Sequence, residues 1–141
     1  MPRKTKIFID SNVWFSYFYG SSNCKKIVEA HANGDLKAVI SQLVLEEVVV
    51  NLKKKSPASI AGFARFIEST PPLTLRNPGK ILSEVKSCVD KKDQLIFQAA
   101  VNAKVKYFVT GNTKHFDVIV LKKAYKIEVL TPAQAVKKLG L

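Results

Sequence analysis

The sequence predicts an α/β fold, a parallel sheet covered by helices on both faces. Segments of strand character alternate with segments of helical period along the whole chain, the order that βαβ units produce. The first apolar run, Ile7-Phe8-Ile9, ends abruptly in Asp10. A charged side chain closing a buried strand belongs at the carboxyl edge of the sheet, where open α/β sheets bind ligands. With 141 residues and 47% hydrophobic content the chain can build one real core, and a single domain over residues 1–141 is expected.

The elements follow in order. Lys6 to Asp10 reads as the first strand, and Asn12 to Phe18 as a short helix rich in aromatic residues. A second helix from about Asn23 to His31 uses Ile27, Val28 and Ala30 as its apolar surface, and Asn33-Gly34-Asp35 turns the chain. Gly34 is a stop signal for that helix, and His31 is expected to be a solvated residue near its end. Ala38-Val39-Ile40 forms a strand, after which Ser41 caps a helix running to about Lys53. Ser56-Pro57 supplies a cap and first-turn proline for another helix, with Ile60, Phe63, Ala64 and Ile67 on one face and Pro71-Pro72 at its end.

Leu73 to Leu75 is expected as a short edge strand, and Pro78 to Val89 as a helix with Ile81, Val85 and Cys88 or Val89 inward. Asp93 to Ala103 is a further helix, Tyr107 to Thr110 and Ile127 to Leu130 are strands, and Pro132 to Leu139 closes the chain as a helix. No repeat, low-complexity tract or linker interrupts the series.

Charge narrows the partner. With 23 Lys and Arg against 11 Asp and Glu, the formal net charge is +12, which favours a polyanion and places nucleic acid ahead of an anionic membrane surface or an acidic protein. No apolar run approaches the roughly 20 residues that span a bilayer, and nothing at the start reads as a signal peptide. A cytoplasmic protein without membrane association is expected. Cys24 and Cys88 are too far apart in sequence for a metal-ligand pair and read as free, packing thiols. His31 and His115 have no companion at ligand spacing, which argues against zinc.

Three acids stand where chemistry is expected. Besides Asp10, Glu47 lies in an apolar helical stretch with Leu43, Val44 and Val50 as its neighbours on the helix, whereas the adjacent Glu46 shares a polar side with Gln42. A carboxylate among apolar neighbours is expensive unless it is paired or bound to metal, so Glu47 is the better functional candidate, with an ion pair to Lys54 as the structural alternative. Asp90 and Asp93 both approach a helix N-terminus, where the macrodipole alone would favour them. The small, apolar helix following Asp93 fixes that residue at the sheet edge, while Asp90 lies in the looser approach. Val109-Thr110-Gly111-Asn112 then brings a strand into a glycine turn at the same edge, where Thr110 can donate a hydrogen bond and Gly111 permits close backbone approach. Asp10, Glu47 and Asp93 together suggest an acidic pocket that holds metal.

Four segments, Asp10-Ser11-Asn12-Val13, Ser41 with Glu47 six residues on, Asp93-x-x-Ile96-x-x-Ala99 and Val109-Thr110-Gly111-Asn112, occur in the order found in PIN-domain nucleases. The chain resembles the small single-domain members that serve as toxins of bacterial or archaeal toxin–antitoxin pairs, and the likeness extends to the Ile127-Glu128-Val129-Leu130-Thr131-Pro132 ending. That resemblance implies a Rossmann-like sheet in strand order 3-2-1-4-5 and a metal-dependent endoribonuclease using Mg²⁺ or Mn²⁺. Asp10, Glu47 and Asp93 fall on the family's metal-binding acids, and Ser11 and Asn12 on its supporting polar pair. Asn112 falls where many members carry a fourth aspartate, which leaves one charge fewer for a second ion. A cognate antitoxin and a homodimer are the protein partners expected from it.

Hydrolysis of a phosphodiester needs an activated water, a stabilised leaving oxygen and relief of charge repulsion, and hard divalent ions held by carboxylates meet all three needs. An acidic pocket repels RNA without metal, so binding must come from the rim. Lys53-Lys54-Lys55, Lys91-Lys92, Lys114 with His115, and Lys122-Lys123 are the rim candidates, each also readable as a solvated face. Trp14, Tyr17 and Tyr19 could stack on unpaired bases or pack in a core or dimer interface. Two other functions compete: a non-catalytic RNA-binding PIN module, favoured by Asn112, and a phosphoacceptor signalling domain, disfavoured by the basic charge and by the single acid at the end of the first strand.

Overall fold

The structure is a computed structural model that describes residues 4–141. Five strands, β1 (Lys6–Ile9), β2 (Lys37–Ser41), β3 (Leu73–Leu75), β4 (Tyr107–Val109) and β5 (Glu128–Leu130), form one sheet in the order β3-β2-β1-β4-β5. Every neighbouring pair is parallel. Strand order and fold class therefore agree with expectation. After β1 the chain builds outward through β2 and β3, then crosses back to place β4 on the other side of β1. The crevice at the carboxyl ends of β1 and β4 is the topological switch point, the place where such sheets receive ligands.

Among the described residues eight α-helices connect and cover the strands: α1 (Ser11–Tyr19), α2 (Ser22–Ala32), α3 (Gln42–Lys55), α4 (Ile60–Ser69), α5 (Ser83–Cys88), α6 (Gln94–Ala103), α7 (Val118–Tyr125) and α8 (Pro132–Leu139). The central strand is sealed on both faces, and Ile7, Phe8 and Ile9 are wholly buried. Each such side chain contributes about 1.5–3 kcal/mol relative to exposure. Phe8 stacks on Phe108 of β4 with ring centroids 5.1 Å apart, which locks the strand pair that frames the crevice. Ser41 caps α3 as expected, its hydroxyl accepting from the Val44 N–H. Thr131 and Gln134 close a reciprocal capping box on α8.

Three local expectations are corrected, and one further helix is found. The helix expected over Pro78–Val89 begins only at Ser83, because Leu82 is extended and gives its N–H to the Gln98 side chain at 2.8 Å. Ser56 caps no backbone group; its hydroxyl bonds that of Ser59, and a 3-10 turn over Pro57–Ser59 precedes α4. Helix α7 lies in a segment with no sequence expectation, its Val-Ile-Val-Leu start being of strand character; Asp117 caps it by accepting from the Val120 N–H. His31 is buried rather than solvated. Its Nδ1 accepts from the Ala38 N–H at 3.0 Å, so Nε2 carries the proton and donates to the Thr70 carbonyl at 2.9 Å. Both ring nitrogens are satisfied, which makes the burial tolerable.

Candidate functional site

Asp10 follows β1 directly and caps α1, accepting from the Ser11 N–H at 2.8 Å. Its other oxygen accepts from Thr110 Oγ1 at 2.8 Å and from Asn12 Nδ2 at 3.3 Å. Only 4% of Asp10 is exposed. Burial pushes its carboxyl up to about 6, against the lowering effect of the Thr110 and Ser11 hydrogen bonds, and the charges of Asp93 and Glu47 push the same way. Asp93 and Glu47 thus act on the Asp10 carboxyl although they come from the approach to α6 and the second turn of α3.

Each acid has a neighbour that orients it. Ser11 Oγ donates to Glu47 Oε1 at 2.8 Å, tying the start of α1 to α3. The two glutamates differ: Glu47 is half-buried and bonded, whereas Glu46 is exposed. Both nevertheless border one groove of about 460 Å³, together with Ser11, Leu43, Val50 and Asn51. The apolar surround expected for Glu47 is therefore incomplete, because Val50 is 49% exposed. Among the described residues no lysine or arginine pairs with Asp10, Glu47 or Asp93, so the expected alternative of a Glu47–Lys54 ion pair is absent.

Asp93 is half-buried at the end of a 3-10 turn over Lys91–Asp93, just before α6. Burial raises its carboxyl above the usual range, while His115 and Lys92 oppose the shift. His115 Nδ1 lies 3.1 Å from Asp93 Oδ2, and its Nε2 lies 4.0 Å from Asp90 Oδ2. His115, a rim candidate with a supporting role beside the pocket as its alternative, has its ring beside two acids, and its pairing with Asp93 across 22 positions is one that no local spacing reveals. Asp90 is exposed, with its N–H bonded to the His115 carbonyl.

The β4 exit contributes backbone as well as side chains. Thr110 is wholly buried, and besides donating to Asp10 it accepts from the Asn112 N–H. Gly111 N–H donates to Asn12 Oδ1 at 2.8 Å, and a Cβ at Gly111 would lie 3.2 Å from that oxygen, so the close approach favours glycine. Asn112 is exposed on the turn that follows.

Lys53, Lys54, Lys91, Lys92 and Lys114 are all exposed. Lys91 and Lys92 sit on the turn leading to Asp93, and Lys114 precedes His115. Lys53 and Lys54 lie about 9–11 Å beyond Glu47 along the α3 axis. Lys122 is a poorer rim candidate, because it pairs with Glu128 at the amino end of β5. Trp14 is excluded from base stacking: its ring is wholly buried between Phe63 and Phe66, and Nε1 donates to the Ile9 carbonyl. Tyr19 remains open, at 63% exposure.

Among the described residues Asp10, Glu47 and Asp93 have no lysine or arginine within 4 Å, and Asp93 has His115 at 3.1 Å; carboxylate oxygens are the donors that hard divalent ions prefer. Among the described residues no helix is long and apolar enough to cross a membrane. A family model for the PIN domain matches residues 6–114. No curated protein matches the chain. The crystal structure of VapBC2 from Rickettsia felis bound to a DNA fragment from their promoter is similar in fold, with a TM-score of 0.62 at 15% sequence identity, over 90% of this chain and 98% of that one.

Proposed function

Starting from the chain's membership of the PIN-domain family, we propose that it is a metal-dependent endoribonuclease acting as the toxin of a toxin–antitoxin pair. The observation that carries this is the nearly inaccessible Asp10 carboxyl at the switch point of the sheet, held by Thr110, Asn12 and the Ser11 N–H. Those acids would hold Mg²⁺ or Mn²⁺. The ion, when bound, supplies an activated water and a positive charge for the phosphate and leaving oxygen.

The remaining work falls to the protein's own groups. Thr110, Asn12 and the Ser11 N–H keep the Asp10 carboxylate in one orientation, Ser11 Oγ does the same for Glu47, and His115 for Asp93. Lys53, Lys54, Lys91, Lys92 and Lys114 supply the positive rim that holds an RNA backbone against an acidic centre. The excess of positive charge also suits an antitoxin whose docking segment is acidic. A homodimer completes the assembly we propose.

Incubation of purified protein with single-stranded RNA tests the activity: cleavage with Mg²⁺ or Mn²⁺ that stops on chelation is the expected result. Tight RNA binding with no cleavage under any divalent ion would favour the non-catalytic module, for which the neutral Asn112 argues. Expression of the chain should arrest growth, and co-expression with the neighbouring reading frame should relieve the arrest if that frame encodes the antitoxin.

A further inference from the structure

Asp93 faces two ways. Its charge reaches Asp10 on one side, and on the other it meets His115 and Asp90. One imidazole nitrogen of His115 and one carboxylate oxygen from each of Asp90 and Asp93 lie within 4.8 Å of one another. Resting on the reading of Asp10, Glu47 and Asp93 as a metal pocket, we propose that Asp90, Asp93 and His115 form a second divalent-cation site with mixed nitrogen and oxygen donors, selective for transition ions of the Co²⁺ and Zn²⁺ class over Mg²⁺.

The donor set decides the selectivity. Mg²⁺ prefers oxygen ligands and keeps its waters, whereas an imidazole strengthens binding of the later first-row ions. Donors bonded to one such ion at about 2.0–2.1 Å stand about 3.0–3.4 Å from each other. His115 Nδ1 and Asp93 Oδ2 are already 3.1 Å apart. Asp90, with 55% of its side chain exposed, is free to turn inward. A cleft of about 540 Å³, bordered by Asp90, Lys114, His115 and Asp117, gives ion and water access.

The backbone holds the donors in place. The Asp90 N–H donates to the His115 carbonyl at 2.9 Å, the Asp117 N–H to the Cys88 carbonyl at 2.8 Å, and the Asp93 N–H to the Asp90 carbonyl at 2.8 Å. Val89 and Phe116 form an antiparallel bridge between the same two segments. Asn112 brings no charge to a second cation, so the ligands for one must come from elsewhere, and His115 is three residues further along. A His–Asp hydrogen bond would have the same spacing, which the experiment must separate from ligation.

Full-length protein stripped of metal is titrated with Co²⁺ and, separately, with Mg²⁺, using calorimetry and the visible absorption of bound Co²⁺. Wild type, His115→Gln, Asp90→Asn and Asp10→Asn are compared. Glutamine can still donate a hydrogen bond to Asp93, so a merely positioning role survives His115→Gln. The expected result is loss of one Co²⁺ equivalent, or at least about a tenfold fall in its affinity, in His115→Gln and Asp90→Asn, with an altered Co²⁺ spectrum. Mg²⁺ binding should fall in Asp10→Asn, and in His115→Gln it should fall far less than Co²⁺ binding does. Co²⁺ affinity and spectrum indifferent to His115→Gln would overturn the second site alone. Mg²⁺ binding indifferent to Asp10→Asn would instead overturn the acidic pocket on which it rests.

Discussion

Thr110 Oγ1 donates a 2.8 Å hydrogen bond to Asp10 Oδ2 across 100 positions of sequence, joining the exits of the two central strands that flank the switch point. Both residues are buried, so this bond orients the carboxylate and also opposes the effect of burial on its proton. Thr110→Val keeps the shape and removes the donor. It should cost about 1–3 kcal/mol of stability in urea unfolding and weaken Mn²⁺ binding. Unchanged values for both would show that the bond has no energetic role.

The raised Asp10 carboxyl makes stability depend on pH in a direction opposite to that of a salt-bridged acid. Between 3.8 and about 6 the folded protein keeps a proton that the unfolded chain has released, so stability of the metal-free protein falls as pH rises through that window. The loss from this group is complete above it, on the order of 2–3 kcal/mol. Asp10→Asn should therefore gain stability relative to wild type between about pH 4 and about pH 7. Urea unfolding of both proteins at the two pH values measures the difference, and a gap that does not widen with pH would contradict the assignment.

Glu47→Gln should weaken metal binding and RNA cleavage far more than Glu46→Gln. Glu47 is half-buried and fixed by Ser11, while Glu46 is exposed on the same groove. Matched Mn²⁺ titrations and cleavage assays compare them. A larger defect in Glu46→Gln would reverse the roles of the pair.

Asn112→Asp adds a negative charge on the turn anchored by Thr110. Opposite charges a few ångströms apart interact by roughly several kcal/mol at protein-like dielectric before desolvation is subtracted. Divalent affinity should rise and the metal-free protein should become less stable. Calorimetric Mn²⁺ titration gives the answer, and unchanged affinity and stoichiometry would mean that residue 112 does not face the ion.

The His31 contacts supply a prediction independent of the site. His31→Ala leaves the Ala38 N–H and the Thr70 carbonyl without their partners, at a cost of about 2–5 kcal/mol. Urea unfolding would show it as a lowered midpoint with no change in metal affinity for the folded protein.

Periodicity and caps made most of the fold legible, because β1, β2 and α3 announce themselves through an apolar run, a turn and a serine cap. Strand order came from family resemblance, since period alone carries no information about which strands become neighbours. Residues that act through distant partners were the hardest to read. His31 resembles a helix-end histidine until β2 brings the Ala38 N–H to its ring. His115 resembles a basic surface residue until the bridge between Val89 and Phe116 sets it against Asp90 and Asp93. Val118–Tyr125 hid its helix behind β-branched residues, whose local preference was overridden by the Asp117 cap and by burial of Leu121.

The most direct test of the proposed function is cleavage of single-stranded RNA in Mn²⁺ by wild type and Asp10→Asn, purified side by side and free of contaminating nuclease. The acidic pocket predicts metal-dependent cleavage by wild type and a loss of at least about a hundredfold in the variant, with the fold intact by circular dichroism. Equal cleavage by the two proteins would contradict the assignment of Asp10, and no cleavage by either with any divalent ion would contradict the enzyme.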